Sequence, residues 1–90
     1  MPERDTNKDD AIVIGLGALG WIVSADDRAR RFLDLTGIDL PTLRDRAGDP
    51  VFLAAAILFL EAYEPDLLAC ADALAMTPEA LVSARRELEE

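Results

Sequence analysis

Prolines divide most of this chain into short segments. Apart from the second residue, they stand at four positions: Pro41, Pro50, Pro65 and Pro78. A proline inside a helix removes a backbone hydrogen bond and clashes with the preceding turn, whereas at the first helical position it does neither. Asp49 and Thr77 stand directly before two of these prolines, and their side chains suit the position that caps a helix start. The prolines therefore restrict the chain to short helices that begin close to each of them.

The proline and glycine positions predict six helices, at residues 8–24, 27–36, 40–47, 50–62, 65–75 and 78–88. Because no segment alternates between polar and apolar residues in the manner of a strand, the predicted fold class is all-α. We expect a compact bundle of five or six short helices. It should form a single helical domain at residues 8–90, preceded by a flexible N-terminal tail at residues 1–7.

Two of the predicted helices, 8–24 and 50–62, are apolar almost all round. Such a helix must be buried on all sides, so both should lie centrally, unless one side meets another protein. The other four helices are amphipathic and should cover this centre. The expected core residues follow the large apolar side chains at helical spacing: Ile12, Leu16, Leu19, Val23, Phe32, Leu35, Leu43, Phe52, Phe59, Leu60, Leu67, Leu74, Leu81 and Leu88.

The segment AIVIGLGALGWIVS places Gly15, Gly17 and Gly20 in the G-x-G-x-x-G pattern of dinucleotide-binding turns. That turn needs a strand before it and further parallel strands after it. The residues that follow, WIVSADDRARRFLDLTG, are instead typical of a helix, and no later segment could supply the strands. We therefore interpret the glycines as positions where a neighbouring helix packs closely, and we predict no cofactor.

Charge and composition exclude several classes of function. The net charge of −9 disfavours contact with nucleic acid and with anionic membranes. No uncharged run of this chain, including the one at residues 50–60, reaches the roughly 20 residues that a membrane-spanning helix needs. The N-terminal residues MPERDTNKDD lack the order of a signal peptide, and the single cysteine, Cys70, is typical of a reducing compartment. The predicted location is the cytoplasm.

The middle of the chain carries a family resemblance. The segment RFLDLTGIDLPTLRDRAGDPVFLAAAILFL and the later DALAMTPEALVSARREL resemble a family of small bacterial proteins known as domain of unknown function 3572. The resemblance covers residues 11–88, and its motif includes Gly37, Asp39, Arg44 and the Gly48-Asp49-Pro50 sequence. It implies a compact helical protein and no mechanism, because the family has no assigned activity.

No group of residues predicts catalysis or metal binding. The chain has no histidine, so the commonest general base and the commonest metal ligand are both absent. Cys70 stands within an apolar helix, where a buried structural thiol is a better interpretation than a reactive one. Glu61, Glu64 and Asp66 crowd one turn and could bind a hard cation weakly, but a solvated corner is the simpler interpretation. We predict that the chain is not an enzyme.

Arginines concentrate in one part of the chain. Arg28, Arg31, Arg44 and Arg46 fall within two neighbouring helices, whereas residues 47–84 contain no basic residue. There are two alternatives. The simpler one is that these side chains pair within the chain, with Asp26, Asp27, Asp34, Asp45 or the acidic half. The other is that the four form a patch that docks an acidic partner or a phosphate group, for which the guanidinium fork is well suited.

The sequence favours a non-catalytic protein-interaction or adaptor module. Ile14, Gly17 and Trp21 lie opposite the aliphatic stripe of the first helix, where a glycine admits a close partner and a tryptophan can anchor it. The partner is an unknown protein, and the simplest one is a second copy of the chain, forming a homodimer. The alternative is that residues 65–88 cover Trp21 within one chain. Those residues also support an alternative function, a helix-turn-helix that binds nucleic acid, although their acidic charge opposes it.

Overall fold

The structure is a computed structural model that describes the backbone of residues 2–90 and the side chains from Lys8 onward. This part of the chain contains six helices and no strand, which confirms the all-α class. The helices are α1 (Pro2–Val23), α2 (Asp26–Thr36), α3 (Leu40–Arg46), α4 (Pro50–Glu61), α5 (Glu64–Ala73) and α6 (Pro78–Leu88).

The predicted boundaries agree with the structure within two residues, except at the start of α1. That helix begins at Pro2, whereas the sequence predicted a start at residue 8. The predicted flexible tail, residues 1–7, falls on residues whose side chains lie outside the described part of the chain, so it stays a prediction.

The helix starts follow the capping residues. Asp39 opens α3 by accepting a hydrogen bond of 2.9 Å from the backbone N–H of Thr42. This bond lowers the pKa of the Asp39 carboxyl below its ordinary value, because it stabilises the charged form. Asp49 and Thr77 cap α4 and α6 in the same way. The caps and the prolines together explain why the sequence predicted these starts.

Two helices end at a residue with left-handed backbone. Gly37 has φ 72° after α2, a conformation that glycine adopts without steric cost. Ala75 has φ 58° after α5, although it carries a Cβ. There the N–H of Met76 donates to the carbonyl of Ala71 at 2.9 Å and the N–H of Ala75 donates to Asp72 at 3.0 Å. This pair of bonds is a Schellman motif, which turns the chain sharply from α5 into α6.

Three helices form the centre of the fold, because α1, α4 and α6 all contact one another. The central placement of α1 and α4 confirms the prediction for the two most apolar helices. The sequence treated α6 as a cover, but it is the third member of the centre and buries Leu81, Ala84 and Leu88. Around this centre, α5 packs against α4 and α6, and α2 packs against α1.

The core contains half of the predicted residues in fully buried positions: Leu19, Phe32, Leu43, Phe52, Leu60, Leu81 and Leu88. A second group packs against it while half-buried: Ile12, Val23, Phe59, Leu67 and Leu74. The prediction is wrong for Leu16 and Leu35, whose side chains are 42% and 73% exposed.

The error at Leu16 has a physical reason in α1. The buried face of this helix carries its small residues Ala11, Gly15 and Ala18, together with Ile22. A Cβ on Gly15 would lie only 2.9 Å from the Cβ of Leu53 in α4, so α1 approaches α4 where its side chains are smallest. Of the large aliphatic residues predicted for the core of α1, Leu19 is buried and Ile12 and Val23 are half-buried, whereas Leu16 lies to one side of the contact with α4.

Aromatic side chains join α2 to α4. The ring of Phe32, which is fully buried, meets Phe52 and Phe59 edge-on, with centroids 5.7 and 5.2 Å apart. Such pairs stabilise a fold beyond the apolar area that they bury. Leu35 is the wrongly predicted core residue of α2, because its side chain lies at the margin of these rings, in a groove beside Phe59, and is largely exposed.

Two glycines of α1, Gly15 and Gly20, should respond differently to alanine. Gly15→Ala should lower the free energy of unfolding by about 1–3 kcal/mol, since α1 would have to move away from Leu53. Gly20→Ala is the matched control, because no atom lies within 4 Å of the place that its Cβ would take and alanine favours a helix, so it should gain about 0.5–1 kcal/mol. Urea denaturation measures both. Equal effects of the two substitutions would contradict the close approach at Gly15.

The left-handed backbone at Ala75 predicts a stabilising substitution. Ala75→Gly should raise the free energy of unfolding by about 0.5–1 kcal/mol, because it removes the steric cost of a Cβ at positive φ and offsets the greater freedom of the unfolded chain. Ala73→Gly, in the last turn of α5, should lower it by about 1 kcal/mol. Thermal denaturation of the two variants compares them. A destabilised Ala75→Gly protein would contradict the backbone conformation of this turn.

Candidate interaction surfaces

The predicted interface residues of α1 lie on one flank of the helix, and each is half-buried. Ile14 lines a shallow depression together with Ala80 and Ser83 of α6. A Cβ on Gly17 would lie 3.4 Å from the side chain of Leu74, at the end of α5. The flank that carries Ile14, Gly17 and Trp21 is therefore partly covered within the chain, and its role as a partner interface stays a prediction.

Arg28 covers Trp21. Its guanidinium carbon lies 3.6 Å from the centroid of the Trp21 ring, which is a cation–π contact. One Nη atom also donates to the Trp21 carbonyl at 2.7 Å and to Ser24 Oγ at 3.0 Å. These contacts join α2 to the end of α1 and occupy the side chain of Arg28, so this predicted patch residue has an internal role.

Arg31 is likewise held within the chain. Its guanidinium donates to the Asp66 carboxylate at 2.6 Å and lies over the rings of Phe59 and Tyr63, with its central carbon 5.3 and 5.9 Å from their centroids. The pair with Asp66 agrees with the alternative of pairing to the acidic half. The four predicted patch residues thus divide into two pairs of different character.

Arg44 and Arg46 form the second pair. Both side chains are exposed on α3, and neither forms an ion pair with a carboxylate among residues 8–90. Arg46 lines a depression with Asp49 and Val51 at the start of α4. The part of the predicted patch that remains accessible is therefore small and lies beside α4.

The acidic corner is engaged in ion pairs. Glu61 accepts two hydrogen bonds from Arg85, at 2.7 and 3.1 Å, and Glu89 accepts a third at 2.9 Å. These bonds hold the pKa of the Arg85 guanidinium above its ordinary value. Since Asp66 binds Arg31, two of the three corner carboxylates have a cationic partner. Among the described side chains, no three cysteine or acidic groups are placed to hold a metal ion.

One face of α4 remains open and is entirely apolar. We call it the α4 seam, and it consists of four residues: Val51, Ala55, Leu58 and Ala62. Val51 is 72% exposed and Leu58 is 44% exposed, whereas Ala55 is half-buried. The opposite faces of α4 are buried by α1, α5 and α6. Sequence reasoning missed the seam because a helix that is apolar all round gives no signal for which side stays exposed.

Further apolar side chains extend this surface toward α2. Leu35 is 73% exposed and Tyr63 is 54% exposed, and with Phe59 and Ala62 they line a groove of about 320 Å³. Arg31 is the charged residue in the lining of this groove. The α4 seam and the groove share Ala62 and together form one apolar surface, with Arg31 in the groove and Arg46 beside Val51 at the start of α4.

No single helix in residues 2–90 is long and apolar enough to cross a membrane. In this part of the chain, only α5 and α6 taken together have the length and composition of a membrane span, and this pair is bent by 96°.

The bend between α5 and α6 also bears on the helix-turn-helix prediction. Such an angle is typical of helix-turn-helix units. However, Arg85 in α6 is occupied by Glu61 and Glu89, so Arg86 is the remaining cation of that helix.

These features define a small all-α domain with an apolar surface along one helix and internally held arginines beside it. The chain belongs to the family described as Protein of unknown function (DUF3572), which matches residues 8–90. The match confirms the resemblance that the RFLDLTGIDLPTLRDRAGDP segment predicted. Comparison with curated proteins and with solved structures gave no match.

The environment of Cys70 predicts an unreactive thiol. Burial within α5 raises the pKa of the Cys70 thiol to about 11, so the reactive thiolate is scarce at neutral pH. An aromatic disulfide reagent should label Cys70 only after unfolding. Because the unfolded thiol ionises near its ordinary pKa of 9.0 and the folded thiol does not, the free energy of unfolding should fall as the pH rises from 9.0 toward 11.

The matched control is Cys70→Ala, which should remove this part of the alkaline pH dependence. Denaturant titrations at several pH values measure it. Rapid labelling of the native protein at neutral pH would contradict the burial of the thiol.

Proposed function

We propose that this chain is a non-catalytic protein-interaction module that binds its partner through the α4 seam. The single observation that carries the proposal is the exposure of Val51 and Leu58 on a helix with no charged side chain on that face. A contiguous apolar surface with a polar rim is typical of sites where another protein binds. The family description assigns no activity that competes with this proposal.

The α4 seam is held rigidly. Asp49 caps the start of α4, and Phe52, Leu53, Ile57 and Leu60 anchor its other faces in the core. A partner therefore does not have to order this helix when it binds, which lowers the entropic cost of association. Rigid apolar side chains between charged ends are well suited to receive the apolar face of a partner helix.

The α4 seam is a better candidate than the flank of α1 that the sequence favoured. Gly17 already meets Leu74, and Arg28 already covers one face of Trp21. A partner at that flank would have to displace contacts that stabilise the chain itself. At Val51 and Leu58 it would displace only water.

Affinity capture with two leucine variants tests the proposal. The bait is the full chain, used in cells that express it naturally, as the parent protein or as Leu58→Asp. A partner that binds the α4 seam should be captured at least tenfold less well by Leu58→Asp, because the carboxylate would be buried unpaired. Leu68→Asp on α5 is the matched control, since Leu68 is 49% exposed and Leu58 is 44% exposed. Equal recovery with both variants, or capture of no protein at all, a second copy of the chain included, would contradict the proposal.

The bend of 96° between α5 and α6 supports a second candidate, nucleic-acid binding by a helix-turn-helix unit. The charges oppose it, because Arg86 alone cannot provide the several phosphate contacts on which such binding depends. The same capture experiment separates the two functions. Nucleic acid that is released as the salt concentration rises, and lost in Arg86→Ala, would favour the second candidate.

A further inference from the structure

We propose that the partner of the α4 seam is a second copy of this chain, bound so that the two α4 helices run antiparallel about a twofold axis. This inference rests on the proposed function, since it assigns the occupant of the same surface. Three features support it: the spacing of the α4 seam, the alternation of its side-chain sizes, and the charges at its two ends.

The spacing of the α4 seam is that of a helix-pairing interface. Its residues follow one another at intervals of four, three and four positions, which is the repeat that keeps two crossing helices in contact over several turns. Two of the four residues are alanines. Small side chains let helix axes approach to about 8 Å, so a second helix can lie along the full length of α4.

The sizes of the side chains are complementary only in the antiparallel orientation. With the twofold axis between residues 56 and 57, Val51 lies opposite Ala62 of the other copy, and Ala55 lies opposite Leu58. Each larger side chain then meets an alanine, as close packing requires. In a parallel pair, Val51 would meet Val51, which crowds the contact, and Ala55 would meet Ala55, which leaves a void.

The charges at the ends of α4 favour the same orientation. Arg46, which has no ion pair among the described side chains, lies beside Val51 at the start of α4. Glu61 near the end of α4 is already bound to Arg85, and Glu64 lines a depression between α5 and α6. An antiparallel pair therefore keeps the two Arg46 side chains apart, at opposite ends of the contact. A parallel pair would bring the two arginines together, and it would align the helix dipoles unfavourably.

The competing apolar face of this chain lacks such complementarity. The outward side of α1 carries Val13 and Leu16, which are 67% and 42% exposed. One end of that side is bordered by Asp9 and Asp10, and α2 begins with further aspartates at the other end. Antiparallel pairing of α1 would therefore place carboxylates against carboxylates in a protein that already carries a net charge of −9.

The contact is modest in area, so the dimer should be weak and reversible. A seam that spans residues 51–62 is about 17 Å long. Even with Leu35 and Tyr63 at its margins, it belongs to the small end of specific interfaces. The association should therefore depend visibly on protein concentration.

Sedimentation velocity over chain concentrations of about 10 μM to 1 mM tests the association. The parent should change from monomer to dimer within this range, and Val51→Asp should raise the dissociation constant at least tenfold. Val13→Asp is the matched control, because Val13 is 67% exposed and Val51 is 72% exposed, each on a helix face. Circular dichroism confirms that both variants keep the parent's helix content. A parent that stays monomeric, or a dimer that survives Val51→Asp but not Gly17→Glu, would overturn the inference.

Mixed disulfides test the orientation. In the antiparallel pair, Val51→Cys and Ala62→Cys proteins should cross-link to each other when mixed, whereas two copies of Val51→Cys hold their cysteines about 17 Å apart, too far for a bond. Buried Cys70 does not compete. If two copies of Val51→Cys cross-linked to each other, and two copies of Ala62→Cys did the same, with no disulfide between the two variants, the antiparallel arrangement would be overturned.

The two proposals fail separately. A parent that is monomeric at every concentration, but still captures a partner in a manner that depends on Leu58, would overturn the homodimer and leave the interaction module intact. A dimer that requires Val51, with no other protein captured, would make the second copy the only partner supported.

Discussion

The close approach of α1 to α4 is the contact on which the rest of the fold depends. It occurs where Gly15 faces Leu53, with no space for a Cβ between the two helices. Because the same glycine also lies near Leu88, α6 can reach both helices and complete the centre. A larger residue on this face of α1 would separate all three helices together. The lack of a side chain at Gly15 thus determines how closely α1, α4 and α6 pack against one another.

A surplus of apolar side chains on α4 explains why the fold leaves one face open. A chain of this size has few helices with which to cover a segment that is apolar all round, and most of that cover is used by α1, α5 and α6. The single aromatic ring of α2, Phe32, reaches Phe52 and Phe59 of α4 from the side and leaves a groove beside them. The α4 seam is what remains, and its exposure is the cost of burying the other faces so completely.

Local signals were predictable from the sequence, whereas the choice of faces was not. Asp39, Asp49 and Thr77 cap the helices that the prolines begin, because capping depends on neighbours in sequence. On α1 the core prediction was wrong for Leu16, since it followed the large residues and the closest contact with α4 uses small ones. The sequence could not show which arginines of the predicted patch are held internally, for a related reason. Arg28 meets Trp21 and Arg31 meets Asp66 only after the helices pack. The α4 seam could not be located in advance, since a helix that is apolar all round gives no signal for which side stays exposed.

The position of α6 in the centre has a consequence for how this chain acquires its structure. Of the six described helices, α6 is synthesised last, and it supplies Leu81, Ala84 and Leu88 to the space between α1 and α4. Until α6 has been synthesised, the apolar faces of α1 and α4 are only partly covered, so neither helix can reach its final packing. Synthesis therefore has to pass residue 88 before the centre can close, and nascent chains that stall sooner would expose these faces to chaperones and to one another.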